Sequence, residues 1–183
     1  MNPLLVIGLL FGVAVGVTVY KTIKTAGALN YYITRFGIYQ FASDGNLVFR
    51  VRIKFTNPSE TPIHFNLIDI GAYLNSQYQE VNGKIEVLRR GNLIASLMDN
   101  QEFVIQGNGF TEKDFFINAR WSDVGQYFLT NINNIIQVIT GNLNVRELLS
   151  AIVGQPVLIY GNVKAEGVNI PIAQVIQLSN DVN

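Results

Sequence analysis

The chain has 183 residues, of which 49% are hydrophobic and 14% are charged, and its 13 basic and 13 acidic residues give no net charge. A neutral chain without a basic run lacks the concentrated positive surface that binding to a phosphate backbone requires, so we expect no nucleic-acid partner. The absence of cysteine excludes disulfides and thiolate catalysis, and a single histidine, His64, excludes clustered-histidine metal sites, so we expect no cofactor.

The first predicted element is a membrane-spanning helix. Residues 3–20 carry no charge, and this length is just sufficient to cross the hydrocarbon core. The residues that follow suit the membrane interface: Tyr20, Lys21, Lys24, Tyr31 and Tyr32. Positive charge after the helix predicts a single-pass protein whose C-terminal domain faces the cytoplasm. A cleaved signal peptide is the alternative, although no basic residue precedes the apolar run.

Three glycines at four-residue spacing, Gly8, Gly12 and Gly16, share one face of the predicted helix. This tandem G-x-x-x-G pattern lets a second helix approach closely, which favours a homo-oligomer or docking on a partner helix. Glycine is also common in membrane helices that make no such contact, so both interpretations stand.

After a connecting segment in residues 21–36, the sequence changes to short strands separated by turns. The clearest strand is residues 47–55, in which apolar residues alternate with polar and basic ones and predict one buried and one solvated face. The other predicted strands are residues 63–70, 84–88, 93–97, 102–105, 114–119, 156–164 and 168–178. This spacing predicts an antiparallel β-sandwich.

A helical insertion is predicted near residues 122–154. Ser122 and Asp123 are suitable caps for a helix whose apolar residues recur at three- to four-residue spacing, and Asn144 is a suitable cap for a shorter second helix. The predicted organisation is therefore an anchor and the start of a linker in residues 1–28, and a sandwich domain in residues 29–183.

Turn residues recur around the predicted strands. Asn57 and Pro58 end the alternating strand, Pro62 begins the next one, and Pro171 lies in a closing hairpin. This pattern resembles the water stress and hypersensitive response (WHy) domain of late-embryogenesis-abundant proteins. The resemblance covers roughly residues 37–178. It implies an immunoglobulin- or fibronectin-like sandwich without a catalytic site, which in many relatives follows one N-terminal membrane helix. The helical insertion is longer than the connection usual in that family.

No catalytic arrangement is expected. His64 should point outward from its strand, and no G-x-S-x-G motif accompanies it. The acidic residues are scattered in a way that is typical of a solvated surface. The segment Gly107-Asn108-Gly109 lacks the Lys-Ser/Thr of a phosphate loop and predicts a hairpin turn. Trp121 is expected to pack the following helix against the sheet.

These features favour a non-enzymatic, membrane-anchored structural or scaffolding protein whose partners are the lipid bilayer and protein subunits. One specific hypothesis is a minor virion protein that links an internal membrane to the capsid of a membrane-containing bacterial virus, with the domain on the capsid side. The alternative is a cellular stress-protection protein, as the family resemblance implies. A third hypothesis is an enzyme or small-ligand carrier with a pocket between sheet and helices.

Overall fold

The computed structural model describes residues 27–41, 46–120 and 153–180. The strands in these ranges are β1 (Asn30–Phe41), β2 (Asn46–Asn57), β3 (Ile63–Leu74), β4 (Gln77–Val81), β5 (Lys84–Arg89), β6 (Asn92–Asp99), β7 (Phe103–Ile105), β8 (Gly109–Arg120), β9 (Pro156–Ala165), β10 (Val168–Gln177) and β11 (Ser179–Asn180). Each of the eight predicted strands overlaps one of them.

Several predictions lie outside the described residues. These are the membrane helix, the Trp121 contact, the helices within residues 121–152, the glycine face of Gly8, Gly12 and Gly16, and the interface residues Tyr20, Lys21 and Lys24. Within the ranges that the structure describes, no helix is long and apolar enough to cross a bilayer.

The strands form two main sheets. A four-stranded sheet has the order β11-β1-β2-β8, and a five-stranded sheet has the order β10-β9-β3-β6, with β7 also paired to β3. The pairing is antiparallel throughout these sheets except between β1 and β11. The predicted mainly β fold with antiparallel sheets is therefore confirmed.

The core lies between the two sheets. All five apolar residues that the alternation of β2 turns inward are at most 1% exposed: Leu47, Phe49, Val51, Ile53 and Phe55. Phe55 contacts Phe65 of the opposite sheet with ring centroids 5.1 Å apart, and Phe103 stacks on Phe65 at 4.5 Å. Burial of these large rings stabilises the fold, since stabilisation scales with the apolar area removed from water.

Strand β1 was not predicted, because residues 21–36 had been assigned to a connecting segment. The structure begins this strand at Asn30 and buries Ile33, Phe36 and Ile38 in the core. Its register with β2 shifts after Ile33 and again after Ile38. Each bulge adds a residue and reverses the phase of the alternation, so the sequence shows no sustained two-residue period.

Strand β4 was also missed. It forms a separate hairpin with β5 around Asn82 and Gly83, which have φ angles of 54° and 72°. Two consecutive residues with positive φ are typical of the type I′ turn that joins two-residue hairpins. All five residues of β4 are exposed, so no buried face marked the strand in the sequence.

Side chains connect the outer edge of β1 to the five-stranded sheet. The side-chain oxygen of Gln174 accepts a hydrogen bond from the Ile33 N–H at 2.8 Å, and its Nε2 donates to the Ile33 carbonyl at 2.9 Å. The Tyr31 hydroxyl accepts from the Ala173 N–H of β10 at 3.0 Å. These bonds satisfy backbone groups where β1 has no neighbouring strand.

We expect Gln174→Ala to lower the free energy of unfolding by about 2 kcal/mol, because both part-buried backbone groups of Ile33 lose their partners. Gln174→Glu is the matched variant, since it keeps an acceptor for the N–H but loses the donor to the carbonyl. We expect the free energy of unfolding of Gln174→Glu to lie between that of wild type and that of Gln174→Ala. Urea unfolding of the full chain in detergent micelles, followed by circular dichroism, measures the series. Equal stability of all three proteins would contradict a role for this amide.

Candidate functional site

The outer face of the four-stranded sheet carries the most distinctive set of exposed side chains. Four aromatic rings on this face are exposed to solvent: Tyr32 by 62%, Tyr39 by 37%, Phe110 by 65% and Phe116 by 51%. Large aromatic side chains are unusual on a solvated sheet face, and where they gather on a surface they mark interaction sites.

One group of these residues lies near the end of the sheet where β1 ends and β2 begins. We call Tyr39, Arg50 and Phe116 the Tyr39 cluster. The Tyr39 and Phe116 rings are tilted by 58° with centroids 4.9 Å apart, and the Arg50 guanidinium carbon lies 5.4 Å from the Tyr39 centroid. The strand register places Arg50 of β2 directly opposite Phe116 of β8, so both side chains lie on the same face of the sheet.

A second group lies at the opposite end of the same face. We call Tyr32, Lys54 and Phe110 the Phe110 cluster. Tyr32 is the cross-strand neighbour of Lys54, and the Lys54 Nζ lies 4.7 Å from the Phe110 ring centroid. An ammonium group at this distance from an aromatic ring makes a favourable cation–π contact.

An ion pair separates the two clusters. Arg52 Nε and Nη2 donate to the two carboxylate oxygens of Asp114 at 2.6 and 2.7 Å, in the bidentate geometry that suits guanidinium and carboxylate. The hydrogen bond from Arg52 is the main cause that lowers the pKa of Asp114. Burial opposes it, and the positive charges of Arg52, Arg50 and Arg35 make smaller contributions that lower the pKa further. Asp114 is therefore ionised across the physiological range.

The lowered pKa of Asp114 predicts a pH-dependent contribution to stability. A depressed carboxyl pKa stabilises the fold above the unfolded-state value, and this contribution disappears as the pH falls through the folded-state value. We expect Asp114→Asn to change stability at pH 7 by less than about 1 kcal/mol, because the pair is partly solvent-screened. The variant should lose less stability than wild type between pH 5 and pH 2 in urea unfolding, and parallel losses would contradict this contribution.

The turn residues that carry the family resemblance have structural roles or lie on the surface. Asn57 is fully buried, whereas Pro58 and Pro62 are exposed in the loop between β2 and β3. Pro171 is not in a turn, because it lies within β10 opposite Asn162. Strand β10 is at the edge of its sheet, where the missing N–H of proline is tolerated.

His64 is exposed, as predicted, and its backbone has a local partner. Its N–H donates to the Glu166 carboxylate at 2.7 Å, and the Glu166 N–H donates to the His64 carbonyl at 2.9 Å. Glu166 has a φ of 50° in the turn between β9 and β10, so this reciprocal pair fixes the turn against the start of β3. The contacts seen at His64 are structural.

The turn at Gly107-Asn108-Gly109 was predicted as a hairpin, and this detail is wrong. The turn joins β7, which pairs with β3, to β8, which pairs with β2, so it crosses from one sheet to the other. The Asn108 N–H donates to the Ser59 carbonyl at 2.7 Å. The crossing is therefore fastened to the loop between β2 and β3.

A groove of about 400 Å³ opens between β6 and the end of β8. Its lining residues are Gly91, Asn92, Leu93, Ile94, Ala95, Ser96, Asn118 and Ala119, none of which ionises near neutral pH. Across the described ranges, no group of three acidic or histidine side chains is placed to hold a metal ion. The outer face of the four-stranded sheet, with its exposed aromatic rings, is therefore the candidate site.

The sequence matches no protein-family model and no curated protein. Three solved structures show a distant similarity. A protein from Archaeoglobus fulgidus has a TM-score of 0.44 at 13% identity, with 81% of this chain and 90% of that chain covered. A target of the Northeast Structural Genomics Consortium has a TM-score of 0.42 at 10% identity, covering 84% and 87%. The sporulation control protein Spo0M from Bacillus subtilis has a TM-score of 0.40 at 8% identity, covering 82% and 48%. Scores this low support no assignment of function.

Proposed function

We propose that the protein is a non-enzymatic, membrane-anchored scaffolding protein that binds a protein partner through the outer face of its four-stranded sheet. The Tyr39 cluster is the observation that carries this proposal. It combines two exposed aromatic rings and one arginine, the residue types that contribute most to binding energy at protein interfaces.

The support beneath this cluster favours binding. Phe36 of β1 and Phe49 of β2 stack with ring centroids 5.2 Å apart on the core side of the strands that carry Tyr39 and Arg50. A surface held by a packed core loses little conformational entropy when a partner binds. The Tyr39 cluster is therefore pre-organised for recognition.

The membrane anchor and the helical insertion in this proposal are inferred from the sequence. The apolar residues 3–20 supply the membrane helix, and residues near 122–154 supply the helical insertion. The immunoglobulin- or fibronectin-like form of the sandwich, which the WHy resemblance implies, is consistent with two mainly antiparallel sheets packed over one core.

The anchor is tested with the full chain carrying a C-terminal tag. Membranes are washed with alkaline carbonate, and protease access to the tag is measured in oriented vesicles. We expect a carbonate-resistant protein with its tag on the cytoplasmic side. Release of a shortened, soluble protein would mean that the N-terminus is a cleaved signal peptide, and the anchored scaffold would be wrong.

The binding surface is tested by Phe116→Ser in the same membranes. Because Phe116 is 51% exposed, the substitution should leave the fold intact while weakening partner binding at least about tenfold. Met98→Ser is the matched control, since Met98 is 69% exposed on the other sheet. Chemical cross-linking of native membranes or particles measures association. Equal cross-linking of both variants and wild type would place the binding surface elsewhere.

The virion hypothesis is one form of this proposal. In that setting the partner is a capsid subunit, and the anchor lies in the internal membrane. The protein should then remain with purified particles after soluble host proteins are removed. Its recovery only in host-cell membranes would exclude the virion form and leave a cellular scaffold.

A further inference from the structure

The Phe110 cluster lies at the end of the sheet where the chain enters the domain. Strand β1 begins at Asn30, which pairs with Thr56 of β2, and Thr56 pairs in turn with Phe110 of β8. The cluster and the start of β1 therefore share one end of the sheet. The Tyr39 cluster is at the other end, roughly 13–23 Å away along strands that rise about 3.3 Å per residue.

The predicted anchor places this end closest to the bilayer. The apolar stretch ends at Tyr20, and the ten residues from there to Asn30 can span at most about 35 Å. The start of β1 therefore lies within this distance of the end of the apolar stretch, and it is at this end of the sheet that the chain enters the domain. This step rests on the anchor in the proposed function.

The chemistry of the cluster matches a membrane surface. Phe110 and Tyr32 are 65% and 62% exposed, and the Lys54 ammonium lies over the Phe110 ring. Aromatic rings partition to the headgroup layer, and a lysine beside them attracts anionic phosphate groups. Glu112 is the cross-strand neighbour of Lys54, so the site is not uniformly basic and depends on the two rings as well as on charge.

We propose that the Phe110 cluster is a membrane-contact site, which binds the anionic surface of the bilayer that holds the anchor. Phe110 and Tyr32 enter the headgroup layer, and Lys54 binds lipid phosphate. This second attachment, added to the anchor, fixes one end of the sheet at the membrane.

The full chain contains no cysteine, so single-cysteine variants give unambiguous labelling. Phe110→Cys reports on the cluster, Met98→Cys on the other sheet and Leu9→Cys on the predicted anchor. Each carries a nitroxide and is reconstituted into phosphatidylcholine vesicles with or without phosphatidylglycerol. The ratio of collisions with oxygen to collisions with a water-soluble nickel chelate measures exposure of the label to lipid.

We expect lipid exposure at positions 9 and 110 and an aqueous environment at position 98, with the signal at 110 stronger when phosphatidylglycerol is present. Adding Lys54→Glu to Phe110→Cys should reduce the lipid-exposed population about fivefold or more, because a basic residue near an anionic surface contributes about that factor. The signal at position 9 should not change.

Three results would overturn the inference. An aqueous label at position 110 beside a lipid-exposed label at position 9 would reject the contact and leave the anchored scaffold standing. A label at 110 that is immobilised without greater oxygen access would indicate contact with protein. An aqueous label at position 9 would reject the anchor and also the membrane contact, which depends on the anchor.

Discussion

Replacing Asn57 with alanine is expected to lower the free energy of unfolding by roughly 3 kcal/mol, a large effect for a polar side chain. Asn57 is fully buried at the end of β2. Its Nδ2 donates to the Thr61 carbonyl at 2.8 Å. It also lies 3.3 Å from the Ile105 carbonyl and 3.2 Å from the Gln106 carbonyl. Its Oδ1 accepts from the N–H and hydroxyl of Ser59 at 3.0 and 2.6 Å.

These bonds explain why the cost is large. One amide joins the loop between β2 and β3 to the crossing between β7 and β8, and so connects both sheets at this end. Alanine removes the amide from part-buried carbonyl groups, and the loss of a donor to such groups costs more than the net value of a hydrogen bond. The free energy of unfolding, measured by urea denaturation of the full chain in micelles, gives the effect. Asn66→Ala is the matched control, because Asn66 is exposed on β3.

Asn57→Asp separates hydrogen bonding from packing volume. An ionised carboxylate cannot donate to the three carbonyls, so the buried acid favours its protonated form and the folded-state pKa rises above the unfolded value of about 3.9. A raised folded-state pKa means that the native state binds more protons, so stability falls as the pH rises through this range. We expect the variant to be more stable at pH 4 than at pH 7, relative to wild type. A pH-independent difference, or an effect of Asn57→Ala no larger than that of Asn66→Ala, would contradict the role of this amide.

Strand prediction succeeded where burial follows a strict two-residue period. In β2 the side chains of Phe49, Val51 and Ile53 are fully buried and the residues between them are not, so the alternation in the sequence reads directly as a strand. Strand β1 was not predicted because two bulges interrupt its two-residue period, and β4 was not predicted because it has no buried face. Local pattern therefore identifies a strand only while one side stays in the core.

The outer face was harder to predict, because its clusters depend on cross-strand register. Tyr39 and Phe116 meet only because β1 and β8 both pair with β2. One signal was available in the sequence. Phe115 and Phe116 are adjacent, and the alternation of a strand must turn one of them outward. The structure buries Phe115 to 5% exposure and leaves Phe116 on the surface.

The role of Gln174 depends on the same long-range geometry. It binds a strand 141 residues earlier in the chain, and nothing in its local sequence distinguishes it from an ordinary polar residue of an edge strand. Asn57 was recognised only as a turn residue, since its sequence neighbours showed the turn but not the carbonyls of Ile105 and Gln106. The partners of Gln174 and Asn57 lie in distant segments of the chain, so the local sequence pattern could not predict them.

The second large effect is expected for Gly161→Ala, which should lower the free energy of unfolding by roughly 2–4 kcal/mol. Gly161 lies in β9 opposite Ile70 of β3, in the middle of the five-stranded sheet. A Cβ atom at this position would lie 2.1 Å from the Asp69 carbonyl oxygen and 2.7 Å from the Ile70 Cα. Both are backbone atoms of the neighbouring strand, so no side-chain rotation can relieve the overlap.

The sign of the stability change distinguishes steric overlap from the entropic effect of replacing glycine. Alanine in a strand interior is ordinarily better than glycine, because glycine loses more conformational entropy on folding. Destabilisation would therefore show that the close approach of β3 and β9 outweighs this entropic gain. Gly27→Ala is the matched control, since a Cβ there meets no atom within 4 Å, and we expect a change of no more than about 0.5 kcal/mol.

Urea unfolding of both glycine variants in the full chain measures the difference. A Gly161→Ala protein as stable as wild type would mean that β3 and β9 separate enough to admit a methyl group. Their pairing holds Ile159 and Val163 of β9 in the core, so such a shift would also move the inner surface of the five-stranded sheet. A selective loss in Gly161→Ala would instead show that β3 and β9 do not separate to admit a methyl group at this position.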